Sequence, residues 1–160
     1  MANNMTSGPI KYIDRTRQFY AAQDFKPYNY AHHETTPFHR LKKPLSECRV
    51  AIVLTAVTNG EIPKNLRGAE SHPLSDAPEK FRTDELSWDK VTTHTDDRQS
   101  FFPLEVLKSL ASEGVIGSIA PRYHFVPTEY SQRNTRENDA PAIRDACLED
   151  EVDIVLLIPL

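Results

Sequence analysis

Nine residues at the C-terminal end, Val152-Asp153-Ile154-Val155-Leu156-Leu157-Ile158-Pro159-Leu160, constrain this chain more than any other stretch. Seven of the nine are apolar and four are β-branched, with no alternation between apolar and polar positions. An unbroken run of that kind predicts a strand buried on both faces, the central strand of a parallel α/β sheet. A second run, Arg49 to Val57, has the same character and predicts a parallel companion. Ligands of such sheets gather beyond the carboxyl ends of the strands. That places Thr55 and Thr58 on the edge where a substrate sits. A central strand normally leads into a crossover helix that covers one sheet face, and no helix is encoded after Leu160. The chain is therefore either interrupted at that point or ends in a strand that ties its terminus into the sheet.

Between these two runs the pattern supports one α/β domain over residues 10 to 160, preceded by a loose leader over residues 1 to 9. A helix is expected from about Pro9 to Gln23. Phe25 to His39, rich in Pro, His and aromatic residues, reads as an extended arm whose rings pack on the domain. Residues 60 to 85 carry Pro, Ser, Gly and charges and read as a long loop. A short strand is expected at Glu85 to Trp88. Phe101-Phe102-Pro103 opens a helix to Glu113, with Leu104, Leu107, Leu110 and Ala111 on one face and Gly114 ending it. Val115 to Pro121 is a short strand or bend, continued by Arg122 to Thr128. Tyr130 to Asn138 reads as polar loop, and Asp139 as the cap of a helix from Ala140 to Glu149. On that helix Cys147 faces inward as a small hydrophobe.

The bulk properties exclude some classes. A net charge of −4 argues against a general nucleic-acid binder, which needs a basic face. No run of about 20 apolar residues is present, so no spanning helix is expected. The N-terminus lacks the basic and apolar regions of a signal peptide. Cys48 and Cys147 have neither metal nor redox spacing, and a cytoplasmic protein with reduced thiols is the expectation. No metal is expected at His32, His33 and His39, because an extended arm does not converge three imidazoles. His94-Thr95-Asp96-Asp97 places an imidazole beside two carboxylates, which suits a general acid/base pair, a partial metal site or a solvated loop that caps the next helix. Thr58-Asn59-Gly60 is a turn without the glycine spacing of a phosphate loop.

Several segments, taken in order, carry a resemblance. They are Pro44-Leu45-Ser46-Glu47, Arg49-Val50-Ala51, Phe102-Pro103-Leu104, Glu113-Gly114-Val115-Ile116-Gly117, Ala120-Pro121-Arg122-Tyr123-His124 and Val152 to Pro159. Tyr12 to Arg17, Pro27-Tyr28 and Ser131-Gln132-Arg133 add to the set. Together they resemble the glycine/sarcosine/betaine/D-proline reductase selenoprotein B family over most of residues 10 to 160. The resemblance implies a doubly wound, flavodoxin-like parallel sheet, here incomplete at its C-terminus. It implies a cysteine or selenocysteine in a Cys-Pro-x-Cys-like turn directly after the last strand, beyond Leu160. No other cofactor is implied. In such enzymes a selenolate or thiolate attacks a substrate carbon or a partner disulfide, the amine departs, and a second thiol resolves the product by exchange. The substrate implied is a small amine that carries a carboxylate, and the partners are a thiol/disulfide protein or other reductase subunits. On that basis Arg122, then Arg133, are the expected carboxylate clamps, with Thr55 at the substrate edge. His124 and Asp97, and less directly His94, are the expected proton donors to the departing amine.

Two other classes compete with this reading. A non-catalytic α/β binding module or accessory subunit would use the arm and the loops between residues 60 and 100. A metal-dependent enzyme would use His94, Asp96, Asp97 and His124.

Overall fold

The structure, a computed structural model, describes residues 11–27, 31–56, 68–83, 91, 94–128 and 131–160. The chain divides into two compact units, Met1–Phe38 and His39–Leu160. In the first, helix α1 (Tyr12–Ala21) buries none of its residues. It stops where Asp24 takes a positive φ of 60°. Phe25 meets Tyr20 edge-on at 6.0 Å, and Phe38 stands 84% exposed.

The second unit is an α/β fold built on a mixed sheet. A one-turn 3-10 helix, Leu45–Glu47, leads into β1 (Arg49–Leu54), whose apolar run is buried throughout after Arg49. β2 (Glu70–Pro73) follows, then a 3-10 turn at Leu74–Asp76. A further 3-10 turn, Arg98–Ser100, precedes α2 (Leu104–Ser112). Next come β3 (Ser118–Ile119) and β4 (Arg122–Phe125). α3 (Gln132–Asn134) runs through a π-helical turn, Thr135–Asp139, into α4 (Ala140–Glu149), and β5 is Ile154–Ile158.

β1 is the hub. It pairs in parallel with β5 from Val50 to Leu54 along one edge, and with β3 and then β4 along the other. Between Val50↔Ile119 and Val53↔His124 the register shifts by two residues, so Ala120-Pro121 forms a bulge that splits one strand into β3 and β4. Proline has no N–H to give to the ladder, which is why the break falls there. Its carbonyl instead accepts from the Leu74 N–H at 2.7 Å. β2 pairs antiparallel with the outer edge of β4, so the sheet is mixed rather than wholly parallel as expected. The residues read as a structureless loop supply this edge strand. Glu70-Ser71-His72-Pro73 has no apolar alternation to announce it, and the open edge of β4 recruits it. Residues 84–90, where a further strand was expected, lie outside the described residues.

Two clusters show that the helices cover opposite faces. Leu104 and Leu107 of α2 pack with Val50, Ile52, Leu54, Tyr123, Phe81, Phe101 and Phe102. Cys147 of α4 packs with Ala51 and Ala120. Phe102 lies 5.0 Å from Phe81 and 5.2 Å from Tyr123, centroid to centroid, in tilted and edge-on arrangements that favour aromatic packing. α2 begins as expected, its Glu105 N–H held by the Gln99 side chain at 3.1 Å, and it ends at Gly114 with φ of 72°. Gly117 is demanded by space instead. A Cβ there would stand 2.6 Å from the Glu47 carbonyl carbon.

The other helix departs from expectation at its start. The stretch from Gln132 to Asp139 is helical rather than loop, capped by the Ser131 hydroxyl, which accepts from Asn134 N–H at 3.1 Å. Asp139 therefore lies inside the helix and is no cap. It is 2% exposed, and its carboxylate accepts from the Ala69 N–H at 3.1 Å and the Asn134 amide at 3.2 Å.

β5 is also corrected. Its side chains alternate, with Ile154, Leu156 and Ile158 packed on the α2 face while Val155 is 37% and Leu157 73% exposed on the other. Among the described residues it pairs with β1 alone, so it is an edge strand. An apolar run reports that a strand is compatible with burial on two faces, but it takes a second layer to bury them. Replacing Leu157 by Ser will therefore change stability by no more than about 0.5 kcal/mol. Ile52→Ala, at a fully buried position of β1, will cost about 2–5 kcal/mol. Urea unfolding of the two variants checks the contrast, and equal losses would place a cover over Leu157.

Candidate functional site

Strand direction separates the residues of interest into two ends. β1 crosses to β3 and β4 by way of α2 on one sheet face, and β4 crosses to β5 by way of α4 on the other, so the parallel strands stand in the order β4-β1-β5 and the gap between the carboxyl ends of β1 and β5 is a topological switch point. In open α/β sheets that gap is where ligands bind. Its described walls are Thr55 and Ala56 after β1, and Pro159 and Leu160 after β5, while on the other side of β1 the Val126 N–H is bonded to the Leu54 carbonyl at 2.9 Å. Residues 57–67 and 129–130, Thr58 among them, lie outside the described residues.

Thr55 is half-buried, and its hydroxyl oxygen accepts the Leu160 N–H at 2.9 Å. It thereby fixes the direction of the chain as it leaves β5. Arg133 lies in the first turn of α3, on the segment that continues from the carboxyl end of β4, and is exposed. These two expected site residues belong to the carboxyl side of the sheet.

Arg122 does not. It opens β4, away from the carboxyl end, and its guanidinium is occupied. Nε donates to Asp150 Oδ2 at 2.8 Å, and Nη2 donates to Asp150 Oδ1 at 2.9 Å, to Glu149 Oε2 at 2.7 Å and to the Ala146 carbonyl at 3.1 Å. The bonds to Asp150 and Glu149 push its pKa further above the ordinary arginine range. This fork fastens the C-terminal end of α4 to the sheet, where the last carbonyls of a helix favour a cation.

His124 is fully buried under α4. Its Nδ1 lies 2.8 Å from Ser71 Oγ on β2 and its Nε2 3.6 Å from Cys147 Sγ on α4. Burial first, then the charge of Arg122, holds the imidazole below its ordinary pKa. Burial likewise pushes the Cys147 thiol up. Both groups are neutral near pH 7, so no thiolate–imidazolium pair forms. Asp97 lies elsewhere, on the segment that packs through Phe101 and Phe102 on the α2 face. Its carboxylate accepts from Gln99 N–H at 3.0 Å and caps the 3-10 turn. His94 is 72% exposed, with Nδ1 3.7 Å from Asp96 Oδ2. The expected proton donors Asp97 and His124 are thus on opposite sides of the sheet and are not brought together. The same separation divides the residues of a metal centre built on His94, Asp96, Asp97 and His124. No group of three or more metal-binding side chains occurs among the described residues, and no helix among them is long and apolar enough to cross a membrane.

At the amino end of the sheet, a polar recess of about 330 Å³ is lined by Lys43, Glu47, Arg49, Ser118, Glu151, Val152 and Asp153. Asp153 Oδ2 accepts from Arg49 N–H at 2.7 Å and from Lys43 Nζ at 2.8 Å. Lys43 and then the Arg49 N–H hold its carboxyl below the usual carboxylate range. These charges are spent on one another and pin β5 to the start of β1. The chain matches no known family model, no curated protein and no solved structure.

Sequence reading missed three residues that matter here. Ser71 gave no signal and Asp139 read only as a helix cap, because their partners, His124 and Ala69, lie 53 and 70 residues away. Asp150 sits in the acidic run Glu149-Asp150-Glu151, which does not by itself name Arg122 as its partner. Replacing Arg122 by Ala will leave Asp150, whose side chain is 10% exposed, without its cation. The loss will be on the order of 2–3 kcal/mol, read by urea unfolding, and a loss below about 0.5 kcal/mol would free Arg122 for a ligand role.

Proposed function

We propose that this chain is part of a reductase subunit of the selenoprotein B type, acting on a small amino acid or betaine by reductive cleavage of its C–N bond. The observation that carries the reading is the meeting of β1 and β5 at their carboxyl ends. Thr55 holds the Leu160 amide there, at the switch point between β1 and β5. The sequence resemblance expects the redox turn at that place, in a segment following β5. The uncovered apolar pair Val155 and Leu157 is what a crossover helix in such a segment would bury. A selenolate or thiolate in the turn would supply the nucleophile, and a dithiol partner the two electrons that the cleavage consumes.

The described residues contribute binding and positioning. Thr55 orients the chain entering the turn. Arg133, the exposed guanidinium on the carboxyl side, is the better clamp for a substrate carboxylate, because Arg122 is already held by Asp150 and Glu149. His124 serves this reading as part of the core rather than as an acid. That same fact favours the second reading, a non-catalytic binding module, in which the carboxyl-edge crevice holds a ligand without transforming it.

The gene decides first. A TGA codon after that of Leu160, followed in frame by a Pro-x-Cys segment, supports the reductase, whereas TAA or TAG with no coding sequence beyond it overturns that reading. In the complete protein, release of amine from glycine, sarcosine, betaine or D-proline with a dithiol donor is the expected activity. Arg133→Met will raise KM about 10–100-fold with kcat little changed, the signature of a lost charge-assisted bond to bound substrate. An unchanged KM would remove Arg133 from the site.

A further inference from the structure

We propose that His124 is a proton-operated latch: protonation of its ring releases the edge strand β2 and uncovers the thiol of Cys147. The geometry is that of a clasp. One fully buried ring joins three elements, through Ser71 Oγ on β2 at 2.8 Å, Cys147 Sγ on α4 at 3.6 Å, and its own place in β4. α4 packs against β2 as well. A neutral imidazole meets both partners with one donor and one acceptor. An imidazolium has two donors and needs two acceptors, and a thiol sulfur accepts weakly.

The surroundings offer that charge little compensation. Arg122 on the same strand and His72 on β2 oppose it, and Asp150, the acid that favours it, is held by Arg122. Glu70 is paired with His72 at 2.8 Å, and Asp139 accepts from the Ala69 N–H and Asn134. β1 presents Val53, the register partner of His124, and its one charged residue, Arg49, lies at the amino end of the strand, where its guanidinium donates to the Asp150 carbonyl. Protonation is therefore relieved by letting water reach the ring.

β2 is the element that yields. It has four residues, two of them exposed, and pairs with β4 alone among the described residues. α4 is longer and is fastened by the Arg122 fork. The ring binds its proton more readily once the latch is open. The closed state is accordingly favoured above the ordinary histidine range, near pH 6.5, and is lost as pH falls below it. One proton taken up on opening raises the open fraction about fivefold in the first pH unit below 6.5, approaching tenfold per unit further down.

The test is the rate at which 4,4′-dithiodipyridine, which reacts with thiols in mild acid, labels Cys147. Peptide mapping follows each cysteine, rates are normalised to the unfolded chain, and the fully buried Cys48 serves as internal reference. Labelling of Cys147 will rise about fivefold from pH 6.5 to 5.5 while Cys48 stays protected, and amide exchange across Ser71–Pro73 will quicken in parallel. His124→Gln will give a flat profile. Ser71→Ala, an exposed position that keeps the ring, will label Cys147 faster than the parent at pH 7.5. A flat parent profile, an equal rise in His124→Gln, a joint rise of Cys48 and Cys147, or no effect of Ser71→Ala would each overturn the latch.

Discussion

Every layer of the C-terminal unit is anchored on β1. Its backbone bonds to β5 on one edge and to β3 and β4 on the other, while its side chains alternate between the α2 core and the α4 core. Val50, Ile52 and Leu54 face the aromatic cluster, and Ala51 admits α4 closely enough for Cys147 to pack on it. Burial of that order, at about 25 cal/mol per Å² of apolar surface, is what makes one strand capable of ordering two crossovers. The small residues on the α4 side, Ala51 and Ala120, explain why that side holds a helix close, while the bulky α2 side is filled by rings.

The polar groups divide by the same geometry. At the amino end, opposite charges neutralise one another. Lys43 and the Arg49 amide meet Asp153, and toward the same end Arg122 meets Asp150 and Glu149. Such partly buried pairs fix register and direction more than they add stability. At the carboxyl end the described groups include the Thr55 hydroxyl and the carboxylate of Glu70, opposite Phe125 and held by His72, with Arg133 following on α3. A carboxylate-bearing ligand finds an uncommitted guanidinium more readily there, which is why the proposed site lies with Thr55 rather than with Arg122.

His124 shows how burial changes the meaning of a residue type. On a loop, an imidazole next to Arg122 and Tyr123 reads as an acid for catalysis. Within β4, under α4, it is a neutral hydrogen-bonding bridge. Its titration then acts on the structure around it, because charging the ring requires the edge of the sheet to open.

The sequence by itself determined the parallel pairing of the Arg49 and Ile154 runs, the extent of α2 from Leu104 to its end at Gly114, and the inward face of Cys147. These depend on local apolar periodicity and on turn residues, both of which are written within a few positions of one another. Tertiary structure decided the rest. β2 exists because β4 leaves an edge open, and no pattern in Glu70 to Pro73 anticipates that. Asp139 lies inside a helix because Ala69, 70 residues earlier, supplies its donor. Arg122 is bound to Asp150 and His124 to Ser71 for the same reason. β5 has one covered face because burial requires a second layer, and a run of apolar residues specifies only the strand that such a layer would cover.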